Sequence, residues 1–187
     1  MVAFSSGRGP FRVRAGRLPP VRRAIVWAAV VLTALLLQST VFAQIQLVGA
    51  KPDLVFLVTI VLAYLEGPSS GALGGFVGGM AEDFLLNQPK GITALTLTLL
   101  GYAVGALRQY IASPSPLLPV AVVGAGTVVG EVFFGLVSFL LGQNVGSFAF
   151  VLRVALLAGV YNAVLTPFLF PVIRRVVESS RAKAYRW

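Results

Sequence analysis

The chain has 187 residues, of which 57% are hydrophobic and 11% are charged, and its mean hydropathy is +0.89. A soluble domain carries about 25% charged residues, so this composition excludes an ordinary water-soluble protein and predicts an integral membrane protein with one membrane domain. The absence of cysteine and histidine excludes disulfides, thiol nucleophiles and imidazole-based metal or acid–base chemistry. The formal net charge of +9 has to be interpreted from where the basic residues lie.

Residues 1–23 form a basic segment ahead of the first apolar run. They contain six Arg, three Pro and three Gly and no acid, which predicts a cytoplasmic tail that is disordered up to Pro20. An alternative is open here, because Arg22-Arg23, the apolar run and the small-residue sequence V-F-A before Gln44 also resemble a cleavable signal peptide. We favour a retained first span, since the run is long for a signal sequence.

Six apolar runs follow, and most approach the ~20 residues that a helix needs to cross a hydrocarbon core of roughly 30 Å. They cover residues 24–43, 54–65, 68–86, 91–107, 117–141 and 154–173. The second run rises only about 18 Å as a helix, so to span it must include Asp53 and Glu66 or thin the bilayer. We therefore predict an all-α membrane domain over residues 24–173 with six spans. Five spans and one buried segment that does not cross are the alternative.

The basic residues predict the orientation, since cytoplasmic loops are enriched in Lys and Arg. With the N-terminus inside and six spans, twelve of the fifteen basic residues lie inside: Arg8, Arg12, Arg14, Arg17, Arg22, Arg23, Arg108, Arg174, Arg175, Arg181, Lys183 and Arg186. Both termini are then cytoplasmic, and residues 174–187 form a second basic tail. These tails fit anionic lipid headgroups at roughly 1 kcal/mol per residue. Nucleic acid is not predicted as a partner, because the tails contain no readout element.

A glycine repeat marks the third run. Gly67, Gly71, Gly75 and Gly79 recur every fourth residue, which places them on one face of a helix and permits close approach of another backbone. That partner is either a helix of the same chain, which we favour, or a helix of another protein. Asp83 closes the stretch near the predicted outer boundary, where a carboxylate either ends the helix at the interface or pairs with Lys90.

Glu131 is the most unusual polar residue, because it is residue 15 of the 25-residue fifth run. An ionised carboxylate inside a span costs several kcal/mol unless it is paired or protonated. By helix rise, Tyr161 and Asn162 lie at a similar depth on the last run, about 12 Å from its outer end. We predict an intramembrane polar cluster of Glu131, Tyr161 and Asn162, which either clamps two helices together or carries a proton or ligand.

No catalytic arrangement stands out. The sequence lacks G-x-S-x-G, a P-loop and any cluster of metal ligands. Glu82, Asp83 and Glu131 could in principle form an intramembrane acid site, but the paired motifs of aspartyl membrane proteases are missing. We therefore predict no enzymatic activity and no catalytic, metal-binding or cofactor-binding residues.

Several fragments occur in a characteristic order. They are L-L-L-Q-S-T-V-F, K-P-D-L, L-E-G-P-S-S-G-A-L-G-G-F-V-G-G-M-A-E-D-F, P-K-G-I-T-A-L, G-Y-A-V-G-A-L, and V-Y-N-A-V-L-T-P with P-V-I-R-R. Together they resemble the MreD family of bacterial rod shape-determining membrane proteins, from about Thr33 to Arg175. The recurring features of that family fall on Pro52, Asp53, Gly67, Gly71, Gly75, Phe76, Gly79, Asp83, Gly91, Tyr161 and Asn162. Glu131 has no clear match.

The resemblance implies a non-enzymatic component of the cell-elongation machinery that maintains rod shape. Its partners would be MreC, the MreB filament, the RodA glycosyltransferase and a class B penicillin-binding transpeptidase. The implied fold is a compact six-helix bundle like the substrate-binding subunit of energy-coupling-factor transporters, so a small-molecule transport subunit is the alternative function. On the scaffold interpretation, Asp83→Ala weakens partner binding more than folding, because Asp83 would lie where the bundle meets the outside.

Overall fold

The computed structural model describes residues 21–40, 52–85, 91–110 and 117–182. The predicted disordered segment up to Pro20, the V-F-A site before Gln44, and Lys90 lie outside these ranges. The described residues form six α-helices and no strand, and a short 3₁₀ turn, Arg108–Tyr110, follows the fourth helix. The helices are α1 Val21–Thr40, α2 Leu54–Glu66, α3 Pro68–Leu85, α4 Ile92–Leu107, α5 Leu118–Leu140 and α6 Phe148–Ala182. The predicted all-helical class is confirmed.

Helix α2 lies at the centre of the molecule. It contacts all five other helices, and every residue from Leu54 to Ala63 is buried. Its sequence explains this position, because a helix that is apolar on all sides is stable only when protein or lipid surrounds it completely. Since protein surrounds α2, its short length need not match the thickness of a hydrocarbon core. The short length of α2 is therefore compatible with six spans. It is equally compatible with five spans and one buried helix that does not cross.

Two of the described helices are long and apolar enough to cross a membrane by length and composition. They are α5, over Leu118–Leu140, and α6, over Phe148–Ser179. Three shorter apolar helices cover Ile25–Thr40, Leu54–Glu66 and Ile92–Leu107. The number of membrane crossings is thus not fixed by helix length alone.

The six helices alternate in direction. Ala63 of α2 lies beside Gly71 of α3, and Gly71 in turn lies beside Gly101 of α4, as expected for consecutive antiparallel neighbours. Further along, Gly126 and Gly130 of α5 contact α2 in reverse order, at Ile60 and Phe56. The first and last described residues therefore lie toward the same end of the bundle.

Helix α1 is part of the core. It packs on α2, α3 and α6, and it buries Trp27, Val31 and Leu35. A signal peptide removed before Gln44 would take these side chains away from the helices they pack against. The packing therefore favours the retained first helix.

Helix α6 is longer than the last apolar run. It begins at Phe148, continues through Pro167 and Pro171, and ends at Ala182, a rise of about 52 Å for its 35 residues. Ile173 and Val177 are buried in the same core as α1. The predicted second tail over 174–187 therefore starts as a continuation of this helix, and no break marks residue 173.

Candidate functional site

The glycine repeat of α3 is in direct contact with the backbone of α4. A methyl group added to Gly71 would overlap the carbonyl group of Gly101, and one added to Gly75 would overlap that of Leu97. One added to Gly79 would lie 2.5 Å from the Cα of Ala94, a distance that real side chains do not tolerate. We call Gly71, Gly75 and Gly79 the glycine seam. Its occupant is a helix of the same chain, so this face is closed to other proteins.

Gly67 has a different role from the seam. It ends α2 with a φ of 96°, a left-handed conformation that favours glycine, and its N–H donates to the carbonyl oxygen of Ala63. A methyl group added at Gly67 would meet nothing within 4 Å. The backbone turn, and not close helix packing, explains glycine at this position.

Asp83 caps the start of α4. Its Oδ2 accepts hydrogen bonds from the backbone N–H groups of Gly91 (2.8 Å) and Ala94 (3.3 Å), and its Oδ1 accepts from that of Thr93 (3.3 Å). A carboxylate at this point satisfies N–H groups that have no partner within the helix and complements the positive end of its dipole. The side chain is fully buried. Asp83 thus ties the end of α3 to the start of α4, and its contribution to a partner interface stays a prediction.

Gln38 joins three helices at the same end of the bundle. Its Oε1 accepts from the N–H groups of Leu54 (2.7 Å) and Val55 (3.2 Å), at the start of α2. Its Nε2 donates to Oε1 of Glu82 on α3 (2.8 Å). Both side chains are buried. Because an amide carries an acceptor and donors together, one glutamine ties α1 to both neighbours.

Asn162 makes the corresponding link to the last two helices. Its Nδ2 donates to the carbonyl oxygen of Asp53 (2.8 Å) and to the hydroxyl oxygen of Thr127 (3.0 Å). The side chain of Asp53 in turn caps α2 by accepting from the N–H groups of Val55 and Phe56. Asn162 and Thr127 are both fully buried. Asn162 therefore holds α6 against the start of α2 and the middle of α5.

The predicted cluster of Glu131, Tyr161 and Asn162 is only partly reproduced. We expected Asn162 to donate to Glu131, but the amide nitrogen of Asn162 donates instead to Asp53 and Thr127. Glu131 and Tyr161 are half-buried, whereas Asn162 is completely enclosed. Glu131 lines a groove between α5 and α6 that leads to their connecting turn. The amide of Asn162 therefore serves Asp53 and Thr127, and the predicted association of Glu131 with Tyr161 stays a prediction.

These contacts form one polar network that reaches every helix. We define it as Gln38, Asp53, Glu82, Asp83, Thr127 and Asn162. The starts of α2 and α4 both lie in it, and a carboxylate of the chain itself caps each one. Helix N-termini are natural anion-binding sites. In this protein Asp53 caps the N-terminus of α2 and Asp83 caps that of α4. The network therefore holds the six helices together and does not offer these two N-termini to a ligand.

Two members of the network were missed from the sequence, Gln38 and Thr127. A signal was available for Gln38, because a glutamine inside an apolar run is expensive unless its amide is bonded. Thr127 gave no signal, since threonine is common in apolar helices and can bond to its own backbone. For metals, no group of three His, Cys, Asp or Glu side chains within the described ranges could hold an ion.

A family model described as "rod shape-determining protein MreD" matches residues 21–176, which is most of the chain and includes the whole polar network. No curated protein and no solved structure matches the chain.

Proposed function

Because the chain belongs to the MreD family of rod shape-determining proteins, we propose that it is a non-enzymatic membrane scaffold of the bacterial cell-elongation machinery. Family membership implies a role in determining rod shape. The proposed mode of action is to bind an MreC-like membrane protein and, through it or beside it, RodA and the class B penicillin-binding transpeptidase. The polar network is the observation that carries the scaffold interpretation.

The network supports a scaffold because its polar groups hold the protein's own helices. Asp83 accepts three backbone N–H groups, and Gln38 uses both ends of its amide on α2 and α3. A transport subunit that captures a small polar molecule needs such groups directed into a cavity. Here they are directed into helix ends, so function is left to the outer surface of the bundle.

We further propose that all six helices cross the membrane with both termini in the cytoplasm. The alternating helix directions support this arrangement, as does the length of α5 and α6. A Cys probe at Ser147, in the α5–α6 turn, is then expected to react with an impermeant thiol reagent added to intact cells. A probe at Ser179, near the end of α6, is expected to stay protected. Both positions are exposed, so labelling of Ser179 from outside would contradict the orientation.

Anionic lipids are proposed as partners of the cytoplasmic end. Arg108, Arg174 and Arg175 are exposed there, and Arg108 also donates to the carbonyl oxygen of Leu65 at the end of α2 (2.8 Å). Arg174 forms a surface ion pair with Glu178 (2.7 Å), which leaves less of its charge for lipid. Arg175 is therefore the stronger candidate of the two for headgroup contact.

Depletion in the host tests the function directly. Rod-shaped cells are expected to become rounded and swollen, and the protein is expected to copurify with an MreC-like partner in mild detergent. The alternative is a small-molecule-binding subunit of an energy-coupling-factor-type transporter. Normal cell shape after depletion, together with copurification of an ATPase module and a bound vitamin-sized ligand, would establish that alternative instead.

A further inference from the structure

A groove runs between α1 and α6 on the outer surface of the bundle, and α2 forms its floor. It extends about 16 Å along α1, from Val26 to Leu37. Val26 lies toward the end of the bundle where the first and last described residues lie, and Leu37 precedes Gln38 of the polar network. The volume of the groove is about 450 Å³. It is therefore a long apolar cleft with one end at the network and the other at the end of the bundle.

The side chains that line this groove explain its depth and its chemistry. Leu54 and Val58 of α2 are buried and form the floor, whereas Val172 of α6 is 56% exposed and forms part of a wall. Thr33 is the polar member of the lining, and its hydroxyl donates to the carbonyl oxygen of Ala29 in its own helix (2.7 Å). The groove therefore presents an apolar surface along its whole length.

The length of the groove matches one leaflet of a membrane. A hydrocarbon core is roughly 30 Å thick, so an acyl chain reaches about 15 Å from the headgroup region to the midplane. In the proposed orientation the groove starts at the cytoplasmic end. It stops at the level of Asp53, which is bonded to Asn162, about 12 Å below the outer end of the last apolar run. The groove thus covers the cytoplasmic half of the membrane.

Arginines surround the cytoplasmic end of the groove. Arg175 is exposed and lies on α6 between the wall residues Val172 and Val176. Arg22 and Arg23 belong to the first turn of α1, four and three residues before Val26. Basic residues at this level attract the anionic headgroups of the cytoplasmic leaflet. An apolar cleft one leaflet long, with positive charge at its headgroup end, is complementary to an anionic phospholipid.

A protein helix suits the same end poorly. Membrane helices usually have basic residues at their cytoplasmic ends, so a partner helix would place like charges beside these arginines. A second copy of this chain would bring the same arginines again. A cleft that stays empty loses the dispersion contacts of its lining atoms, so an occupant is expected. Charge complementarity therefore selects a lipid.

We propose that this groove, the α1–α6 groove, binds one acyl chain of an anionic phospholipid whose phosphate lies against Arg175 and the first turn of α1. The inference rests on the proposed orientation, and it gives the proposed lipid contact of the cytoplasmic end a defined site. The bound chain would continue the packing of α1 against α6 across the cleft. The lipid would thus be a structural part of the bundle in the membrane.

Filling the groove tests where the chain lies. Thr33→Trp places an indole in the groove, and Leu32→Trp is the matched control, because Leu32 is exposed on the same helix but does not line the groove. The purified full chain is mixed with dioleoyl phosphatidylglycerol in mild detergent, and retained lipid is measured by native mass spectrometry. The wild type and Leu32→Trp are expected to retain one molecule. Thr33→Trp is expected to bind it about tenfold more weakly, because the indole replaces several chain carbons.

Charge variants test the headgroup. Arg175→Gln is expected to weaken phosphatidylglycerol binding about fivefold, the effect of one basic residue near the headgroups. Arg174→Gln is the control and is expected to change it little, because Arg174 is already paired with Glu178 (2.7 Å). Phosphatidylcholine with the same chains is expected to bind the wild type more weakly and to be indifferent to both variants. Equal binding of the two lipids to the wild type would overturn the proposal.

Crosslinking in host membranes identifies the native occupant. A photo-crosslinking amino acid at position 33 of the full chain is expected to capture phospholipid. Capture of a partner protein, or of residues 1–20 of the same chain, would overturn the proposal. Should Thr33→Trp fail to fold, Ala29→Phe fills the same groove from another exposed position and is expected to give the same loss.

The outcomes also separate this site from the proposals on which it rests. Undiminished phosphatidylglycerol binding by Thr33→Trp, with Ser179 still protected from outside, overturns the groove alone. Labelling of Ser179 from outside overturns the orientation, and the site falls with it. Cell shape after depletion and copurification of an MreC-like partner test the scaffold function independently of lipid binding.

Discussion

The α3–α4 pair and the α5–α6 pair both depend on glycine, but in different ways. In α3–α4 the glycine seam lies on the backbone of the facing helix, and Asp83 ties the end of one helix to the start of the other. In α5–α6 the contacts are mixed. Gly135 faces the side chain of Val151, whereas a methyl group added to Gly159 would meet both the side chain of Val128 and the carbonyl oxygen of Gly124. When a methyl group is added to a glycine, a facing backbone can make room only if the whole helix moves, whereas a facing side chain can shift by itself. The first pair is therefore closed along the whole glycine seam, whereas the second leaves a cleft at its Gly135 end.

The largest effect is expected from Gly75→Ala in the closed pair. The added methyl group overlaps the backbone of Leu97, so the helices must separate, at a cost of ~3 kcal/mol or more. The matched control is Gly74→Ala, because a methyl group there meets nothing within 4 Å and alanine is the better helix former. Thermal unfolding in detergent is expected to show a large loss for Gly75→Ala and none for Gly74→Ala. Equal melting temperatures for the two variants would show that the glycine seam does not determine how α3 packs against α4.

Asp83→Ala is expected to cost ~2–3 kcal/mol of unfolding free energy. It leaves the N–H groups of Gly91, Thr93 and Ala94 without their acceptor in a buried site. This reverses the sequence-based expectation that Asp83 can be lost cheaply. Glu178→Ala, which removes an exposed acid, is expected to change the melting temperature little. An Asp83→Ala protein as stable as the wild type would show that the start of α4 needs no cap.

The smallest effect is expected from Gly135→Ala in the open pair. The added methyl group meets the Cγ1 atom of Val151 at 2.6 Å, and that side chain lines an open groove into which it can move. The cost is therefore expected to be ~1 kcal/mol or less, measured by the same thermal unfolding assay. A loss as large as that of Gly75→Ala would mean that both helix pairs are equally closed, which contradicts the comparison.

Helix positions followed from the apolar runs in most of the chain. The predicted run 68–86 became Pro68–Leu85, and 91–107 became Ile92–Leu107. The last helix is the exception: it was predicted over 154–173, and it covers Phe148–Ala182. Arg153 interrupts the apolar pattern at one end, and the arginines after Ile173 do so at the other. Hydropathy detects apolar segments, whereas a helix continues wherever its backbone hydrogen bonds are satisfied.

The candidate site was harder to derive than the helices. Spacing identified the glycine seam, because the four-residue repeat is local, but it could not name α4 as the partner. Asn162 was identified as polar and buried, yet its partner was misassigned. It bonds to Asp53, 109 residues away, and depth along a helix does not determine which helices are neighbours. Contacts between distant segments depend on how all six helices pack together, which no local pattern records.

The bond between Asn162 and Asp53 has a consequence for how the protein is made. Translation proceeds at roughly 5–20 residues per second, so about 5–20 s pass between synthesis of the aspartate and arrival of its asparagine partner. During that interval the carbonyl oxygen of Asp53, at the start of α2, lacks its hydrogen bond from Asn162. The link between α6 and the start of α2 can therefore form only after α6 has been synthesised. Chains that stop before α6 would lack this closing bond and be natural targets for membrane proteases.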